Sequence, residues 1–166
     1  MNKRIGIILG SDSDFPYIEK GINLLKEFQV PFAIEVSSAH RTPQRTIELI
    51  KDFESSGAEV IIAAAGGAAH LPGVVASHTL LPVLGVPIDS ALSGVDSLYS
   101  IVQMPGGIPV AAFGIGKSGG VNSILFALQI LALKDETIKK KLEDFREDQK
   151  AAVKEKSDRL KEKIGD

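Results

Sequence analysis

Short apolar runs alternate with amphipathic stretches along most of this 166-residue chain, and this alternation restricts the possible folds more than any other feature. The runs that predict strands are Ile5–Leu9, Phe32–Val36, Val60–Ala65, Val83–Val86 and Val110–Phe113. The first, third and fourth are apolar at nearly every position, which is typical of central parallel strands covered on both faces. Strands joined by helices form parallel sheets. We therefore predict a three-layer, doubly wound, flavodoxin-like α/β fold with five parallel strands.

Helical periodicity fills the first two gaps between these strands. One helix is predicted over about Phe15–Phe28, and the next begins at Thr42-Pro43, because proline is favoured at the first helical position. Gly57 follows the second helix, where a left-handed cap is expected. The residues predicted to face the core are Ile18, Ile22, Leu25 and Phe28 in the first helix and Ile47, Ile50 and Phe53 in the second.

The last part of the chain has a different composition. Val121–Leu133 is mainly apolar, which predicts a buried helix, whereas the sequence from Asp135 onward is strongly charged. A narrow apolar stripe runs through the charged stretch: Ile138, Leu142, Phe145, Val153, Leu160 and Ile164. Such a helix usually docks, either on its own domain or on a neighbouring subunit. We expect one domain over residues 1–166, with a core at about 3–133 and a C-terminal helix at about 135–163.

Charge and cysteine content narrow the class of protein. The chain has 19 Lys and Arg against 21 Asp and Glu, a formal net charge of -2, which argues against a nucleic-acid or membrane surface. It has no cysteine, so disulfides, thiolate nucleophiles and Cys-ligated metals are excluded. The apolar run after Met1–Arg4 is too short for a signal peptide and ends in the acidic Ser11–Asp14. We expect a soluble, cytoplasmic protein.

The unusual residues fall in the loops that follow the predicted strands. Ligands of open parallel sheets bind at the carboxyl ends of the strands, where glycines let backbone N–H groups approach anions. The loops are Gly10–Asp14, Ser37–Pro43, Ala65–Gly73, Ser90–Gly94 and Gly114–Gly120. Connections at the opposite edge, such as Glu54–Glu59, show no such chemistry, and the one glycine there, Gly57, is expected to cap a helix. The set therefore predicts a site for an anionic small molecule.

Several familiar motifs are incomplete in this sequence or stand in the wrong place. Gly116-Lys117-Ser118 resembles the end of a P-loop, but Ala111 stands where the first glycine is required. Gly114, Gly116 and Gly119 have the dinucleotide spacing but follow the last strand. His70 and His78 have no third ligand at metal-site spacing, and the Gly-x-Ser-x-Gly of a hydrolase is absent. We expect no bound nucleotide cofactor and no metal.

The turn at Ser38–Arg41 carries the strongest candidates. His40 lies in the loop at the end of the second predicted strand, and an imidazole with an ordinary pKa of about 6.5 exchanges protons near neutral pH. The guanidinium of Arg41 suits a phosphate or carboxylate, and Ser11 and Ser38 can donate to the same anion. The carboxylate of Asp14 suits sugar hydroxyls. Together they fit a ribose phosphate, although Ser11 and Asp14 could equally cap the first helix.

Four motifs in order resemble one known family. They are Gly10–Asp14, Ser38–Pro43, Ala65–Gly73 and Ser97–Pro105. The chain resembles the 5-(carboxyamino)imidazole ribonucleotide mutases of bacterial purine synthesis, from about Arg4 to Leu133. It departs from their pattern at Ala64, Val74 and Ala112, where Gly, Met and Thr are usual.

The resemblance implies a flavodoxin-like subunit of a homo-octamer whose C-terminal helix reaches a neighbour, and it implies no metal, nucleotide or organic cofactor. His40 would be the general acid and base, with Ser13 and His70 in support. The residues implied to bind or line the substrate are Ser11, Asp14, Ser38, Ala39, Arg41, Ala65, Gly66, Gly67, Ala68 and Leu71.

The reaction implied by the resemblance moves a carboxylate from the exocyclic nitrogen of the imidazole to ring carbon 4, without ATP. The alternative is the related carboxylase, which adds free carbon dioxide to aminoimidazole ribonucleotide. Arg41 and the Gly66–His70 loop resemble the mutase branch. A more distant alternative is a flavin-binding or signalling domain of the same fold.

Overall fold

The computed structural model describes residues 3–165, and in that range it contains five strands and six α-helices. The strands are β1 (Ile5–Leu9), β2 (Phe32–Val36), β3 (Val60–Ala65), β4 (Val83–Pro87) and β5 (Ala111–Ala112). The helices are α1 (Phe15–Glu27), α2 (Pro43–Ser55), α3 (Leu71–Ala76), α4 (Val95–Val102), α5 (Lys117–Ala132) and α6 (Glu136–Ile164). The chain divides into two compact units, which meet in sequence between residues 127 and 128.

All five strands form one parallel sheet in the order β2-β1-β3-β4-β5, which confirms the predicted flavodoxin-like α/β fold. β1, β3 and β4 are buried at every position, as their continuous apolar runs predict. β5 covers only Ala111–Ala112, less than the four residues predicted. Pro109 precedes it and has no N–H to donate to a neighbouring strand.

The core-facing residues predicted for α1 are buried, whereas the buried face of α2 differs slightly from the prediction. Ile18, Ile22, Leu25 and Phe28 are all buried at α1, as predicted. In α2 the buried face is Thr46, Leu49, Ile50 and Phe53, whereas the predicted Ile47 is only half-buried. Gly57 has φ 89°, as a left-handed residue after α2 requires. The core face of α2 therefore lies about one residue away from the predicted stripe.

α5 begins at Lys117, four residues before the predicted start at Val121. The prediction stopped short of Gly119 and Gly120 because glycine is a poor helix former. The structure shows why glycine stands there: a Cβ on Gly120 would lie 2.2 Å from the backbone oxygen of Tyr17 in α1. Close packing of the two backbones outweighs the local helix preference.

The strand order creates one crevice at the carboxyl end of the sheet. From β1 the chain crosses to β2 on one side, and after β2 it returns to β3 on the other side of β1. The loops that leave β1 and β3 therefore diverge at this point, which is where ligands bind in doubly wound sheets. The β2 loop borders the same crevice.

The second compact unit consists of the end of α5 and the long helix α6. The Asp135 side chain caps α6 by accepting from the N–H groups of Thr137 and Ile138 at 3.1 and 3.2 Å. Ile138 and Leu142 in the predicted stripe are buried, but Val153, Leu160 and Ile164 are 66%, 60% and 68% exposed. In the part of the chain that the structure describes, no helix is apolar and long enough to cross a membrane.

Candidate active site

A cleft of about 210 Å³ opens at the carboxyl ends of β1, β2 and β3. It is lined by Gly10, Ser11, Asp14, Ser38, Ala39, His40, Arg41, Ala65, Gly66, Ala69, His70 and Leu71. The structure thus brings together most residues of the predicted site. Ser13, Gly67 and Ala68 belong to the same loops but do not line the cleft. Gly10 and Ala69 also line the cleft, although they are not among the site residues predicted from the sequence.

The loop after β1 folds around the buried carboxyl of Asp14. Ser11 begins a single turn of 3-10 helix at Asp12–Asp14, and its backbone N–H donates to Oδ2 of Asp14 at 3.0 Å. The hydroxyl of Ser13 donates to that of Ser11 at 2.8 Å. The sequence left open whether Ser11 and Asp14 cap a helix. They cap this short turn rather than α1, and they still face the cleft.

Burial raises the pKa of the Asp14 carboxyl above its ordinary value of 3.8. The N–H of Ser11 opposes that shift by stabilising the charged form, and the carboxylate of Asp12 adds to the increase. A buried carboxylate that holds one internal hydrogen bond retains acceptor capacity for a ligand. Asp14 is therefore suited to accept from neutral donors such as sugar hydroxyls.

Buried hydroxyls anchor the turn between β2 and α2. Ser37 Oγ lies 2.9 Å from Thr46 Oγ1 and 3.1 Å from Thr42 Oγ1, and both Ser37 and Thr46 are almost fully buried. The Thr42 hydroxyl donates to the carbonyl of Ser38 at 3.1 Å, and the Thr42 side chain does not cap α2. Thr42 thus stabilises the turn through hydrogen bonds to Ser38. Nothing in the sequence distinguished Ser37 and Thr46 from ordinary polar residues.

This anchored turn presents His40 and Arg41 to the cleft. The backbone N–H of Arg41 donates to Ser38 Oγ at 3.3 Å, and the N–H of Thr42 donates to the Ser38 carbonyl at 2.8 Å. The backbone of the turn is therefore held at Ser38, Arg41 and Thr42, while the side chains of His40 and Arg41 are exposed. An exposed guanidinium beside an imidazole can bind an anion without first leaving an internal partner.

His40 contacts His70 from the loop after β3. Nε2 of His40 lies 2.7 Å from Nδ1 of His70, and the two rings meet edge to face at 78°. One imidazole must donate and the other accept, so the tautomer of each ring depends on the other. The residues are 30 positions apart in the chain, and the sequence alone did not pair them.

The loop after β3 reaches His70 through two left-handed residues. Gly67 has φ 64°, and Ala69 has φ 38° although it is not glycine. Ala69 is 3% exposed and its N–H donates to the Gly66 carbonyl at 3.2 Å. A left-handed alanine costs conformational energy, which the surrounding packing must offset. Because alanine has no functional group, the sequence did not indicate that Ala69 helps to shape this loop.

No cluster of three or more His, Cys, Asp or Glu side chains suited to a metal ion occurs among residues 3–165. His78 lies beyond the end of α3 and is exposed. The groups that converge in the cleft are thus an imidazole pair, one guanidinium, hydroxyls and a buried carboxyl. They can bind an anion and exchange protons with it.

Comparison with known proteins places this cleft in a family. The sequence pattern of the AIR carboxylase family matches residues 4–152. This chain belongs to the AIR carboxylase family. The matched range includes every loop that lines the cleft.

Relatives in this family cover almost the whole chain. A protein from Pyrococcus horikoshii named N5-carboxyaminoimidazole ribonucleotide mutase is 55% identical, over 95% of this chain and 89% of its own. A protein of the same name from Bacillus subtilis is 52% identical, over 96% of this chain and 99% of its own. Another from Escherichia coli K12 is 51% identical, over 93% of this chain and 92% of its own. A crystal structure of PurE from Treponema denticola is 28% identical with a TM-score of 0.85, and the match covers 96% of this chain and 99% of that one.

Proposed function

We propose that this chain is a purine-biosynthetic mutase that converts 5-(carboxyamino)imidazole ribonucleotide to 4-carboxy-5-aminoimidazole ribonucleotide. The observation that carries the proposal is the cleft, in which the imidazole of His40, the guanidinium of Arg41 and the Ala65–Leu71 loop come together. The relatives named as this mutase, at 51% to 55% identity, support it. The reaction is an isomerisation, so no ATP is consumed.

The substrate phosphate is assigned to Arg41, Ser11 and Ser38. Arg41 is the cationic side chain of the cleft lining, and the hydroxyls of Ser11 and Ser38 line the same space. A guanidinium and hydroxyl donors suit a phosphate dianion. Asp14 would repel the phosphate and is assigned to the ribose hydroxyls. These contacts anchor the end of the substrate that does not react, so that their binding energy can orient the imidazole.

His40 is assigned the proton transfers. In the first step the bond between the exocyclic nitrogen and the carboxylate breaks, carbon dioxide is released, and protonated His40 donates a proton to the nitrogen. In the second step carbon 4 of the ring attacks carbon dioxide, and neutral His40 removes the ring proton from carbon 4. One imidazole serves both steps because its protonation state after the first step is the one that the second requires. His70, 2.7 Å away, orients the ring.

The glycine-rich loop is assigned to hold carbon dioxide between the two steps. Ala65, Gly66 and Leu71 line the cleft, and with Gly67 and Ala68 they belong to one short segment from the last residue of β3 to the first residue of α3. Confinement keeps the reacting gas at a far higher effective concentration than dissolved carbon dioxide. Ala39 completes this wall from the β2 loop.

The test is incubation of the purified protein with carboxyaminoimidazole ribonucleotide in the absence of ATP, with the carbon-linked product measured by chromatography. We expect conversion by the wild type. His40→Asn should lower kcat by about 10²- to 10⁴-fold, the usual contribution of a general acid or base. Turnover by His40→Asn at the wild-type rate would show that His40 does not transfer the proton.

The carboxylase alternative predicts a different dependence on bicarbonate. A direct carboxylase starts from aminoimidazole ribonucleotide, so its rate rises with dissolved carbon dioxide, whereas the mutase rate is independent of added bicarbonate. The flavin-binding alternative predicts a flavin absorbance spectrum in the purified protein. Arg41 and the loop at Gly66–His70 favour the mutase.

We also propose that the enzyme is a homo-octamer in the cytoplasm. Exposed apolar side chains on and beside α4 support a subunit interface in the first unit: Leu92, Val95, Tyr99 and Val102. Val153, Leu160 and Ile164 on α6 support a second one.

A phosphorylated substrate, which does not cross membranes unaided, supports the cytoplasm. That residues 1–166 act as one domain also stays a prediction, and one cooperative unfolding transition would support it.

A further inference from the structure

The loop between β4 and α4 carries a hydrogen-bond network that the proposed mechanism does not use. The Ser90 hydroxyl lies 2.7 Å from both carboxylate oxygens of Asp96, in the first turn of α4. Ser97, which is fully buried, donates to the backbone carbonyl of Ile88 at 2.8 Å and lies 3.3 Å from Ser90. A hydrogen bond to a charged acceptor is among the stronger ones in proteins. The network therefore holds the segment Ile88–Ser90 to the start of α4.

That segment lies directly behind the glycine-rich loop. The position that a Cβ would take on Gly66 is 3.6 Å from Cβ of Ile88 and 3.7 Å from Cβ of Ser90. The N–H of Ile88 also donates to the carbonyl of Ala65 at 2.9 Å, one residue beyond the end of the β3–β4 pairing. Gly66 faces the cleft. The Ile88–Ser90 segment is thus the support of the cleft wall at Gly66.

Helix capping does not account for the Ser90–Asp96 pair. The N-cap of α4 is Gly94, which has no side chain, and Ser90 lies four residues before it. Both oxygens of Asp96 accept from a loop residue rather than from the first N–H groups of α4. Two consecutive left-handed residues, Ser93 with φ 55° and Gly94 with φ 79°, fold the loop back so that the two side chains meet. The pair therefore shapes the loop.

We propose that Ser90 and Asp96 act together as a positioning pair that fixes the wall behind Gly66 and so retains carbon dioxide between the two half-reactions. The proposal rests on the mutase function given above. Carbon dioxide has no net charge and no permanent dipole, so retention depends on a closed wall. A wall displaced by about 1 Å is enough to change a reaction rate by about a hundredfold.

The test measures escape of carbon dioxide. The substrate carries ¹³C in its migrating carboxylate, and the buffer contains unlabelled bicarbonate and carbonic anhydrase. Carbon dioxide that leaves the cleft mixes with the unlabelled pool, so each escape followed by recapture yields unlabelled product. Mass spectrometry of the carbon-linked product then gives the ratio of unlabelled to labelled molecules, and chromatography gives free aminoimidazole ribonucleotide.

Ser90→Ala keeps the Cβ that packs on Gly66 but loses the hydroxyl. We expect that ratio to rise about tenfold, equivalent to a change of about 1.4 kcal/mol in the difference between the barriers for escape and for carboxylation of carbon 4. We expect KM to change by less than about twofold, since the pair does not contact the substrate. Asp96→Ala should have the same effect, and the double variant no more than either single one, because the two residues act as a unit.

Ser100→Ala is the matched control. The Ser100 hydroxyl donates to the backbone carbonyl of Asp96 at 2.9 Å, so the variant removes a hydroxyl from the same helix without touching the loop. It should retain the label as the wild type does. Asp96→Asn keeps one neutral acceptor for Ser90 but loses the charge, so it should lose part of the retention, with a ratio about threefold above that of the wild type, and it serves if the alanine variants fail to fold.

The outcomes separate the two proposals. Label retention in Ser90→Ala and Asp96→Asn equal to that in Ser100→Ala, with a converting wild type, would refute the positioning pair and leave the mutase intact. Lower melting temperatures with full retention would reduce the pair to a structural role and equally refute it. A wild type that makes no carbon-linked product would overturn the proposed function, and the pair's role with it.

Discussion

Asp14 is a residue whose burial in the cleft works against its own charge. Its folded-state pKa is raised, so the folded chain binds this proton more tightly than the unfolded chain does. Stability from this group is therefore fully present below pH 3.8 and is lost as pH rises through the folded-state pKa. A carboxylate kept at such a cost is expected to serve a ligand.

Asp14→Asn should separate these two effects. Asparagine keeps an acceptor for the Ser11 N–H but has no charge to desolvate, so the melting temperature at pH 7 should stay or rise, by about 2–4 °C for each kcal/mol recovered. The difference from the wild type should narrow as pH falls toward 4, while KM rises about tenfold through loss of the charged acceptor. Differential scanning calorimetry across this pH range provides the measurement. A variant that melts below the wild type at pH 7 would contradict the assignment.

Arg41 is expected to act mainly on binding. Arg41→Ala removes charge-assisted hydrogen bonds to the phosphate, each worth about 1.5–3 kcal/mol, so KM should rise by about ten- to hundredfold with a smaller change in kcat. Arg45→Ala is the control, because Arg45 is also in the α2 region but pairs with Glu35 at 2.9 Å. Steady-state kinetics compares the two. Equal KM values would move the phosphate away from Arg41.

At the scale of the elements, the close approach of α1 and α5 depends on glycine in both helices. A Cβ on Gly21 would lie 2.5 Å from Cγ1 of Ile124, and one on Gly120 would lie 2.2 Å from the Tyr17 carbonyl oxygen. Side chains larger than hydrogen would separate the helices. Glycine in a helix interior usually weakens it, and here tertiary packing offsets that cost.

Gly21→Ala should therefore destabilise the protein although alanine is the better helix former. Overpacking costs about 1–3 kcal/mol, and the gain in helix propensity returns at most about 1 kcal/mol. Urea unfolding followed by circular dichroism gives the difference. Asn23→Ala, at an exposed position of the same helix, should stay within about 0.5 kcal/mol of the wild type. A stabilised Gly21→Ala variant would show that the helices can separate without cost.

At the scale of the whole molecule, the charged helix α6 carries an apolar stripe whose C-terminal part is exposed. Val153, Leu160 and Ile164 are each at least 60% exposed within one chain. Ion pairs between neighbouring turns, such as Lys140–Asp144 at 2.8 Å and Lys154–Asp158 at 2.7 Å, keep the rest of its surface polar. A stripe of this kind, on an otherwise polar helix, is the expected contact with a neighbouring subunit.

If α6 forms the proposed subunit interface, Leu160→Lys should shift the protein from the proposed octamer toward smaller species, because it places a charge in the stripe. Ala151→Lys adds the same charge at an exposed position on the opposite side of α6 and should leave the octamer intact. Sedimentation velocity measures both, with circular dichroism to confirm unchanged helix content. A wild type that sediments as a monomer would contradict the octamer, and equal behaviour of the two variants would remove α6 from the interface.

The sequence by itself determined the sheet and the position of the cleft. Continuous apolar runs predict buried parallel strands, and the loops that follow them must lie at one edge, so Gly10–Asp14, Ser38–Arg41 and Ala65–Leu71 were predicted to meet. These inferences needed only local periodicity and chain connectivity. The same information could not set the start of α5 or the core face of α2, which depend on how closely helices pack.

Only the tertiary structure decided the contacts between residues far apart in sequence. His40 and His70 are 30 residues apart, and their separation of 2.7 Å follows from the spacing of β2 and β3 on either side of β1. The support of Gly66 by Ser90 likewise depends on the pairing of β3 with β4. Loop composition identifies which residues reach the edge of the sheet, but distances between their atoms are set by packing, which no local pattern encodes.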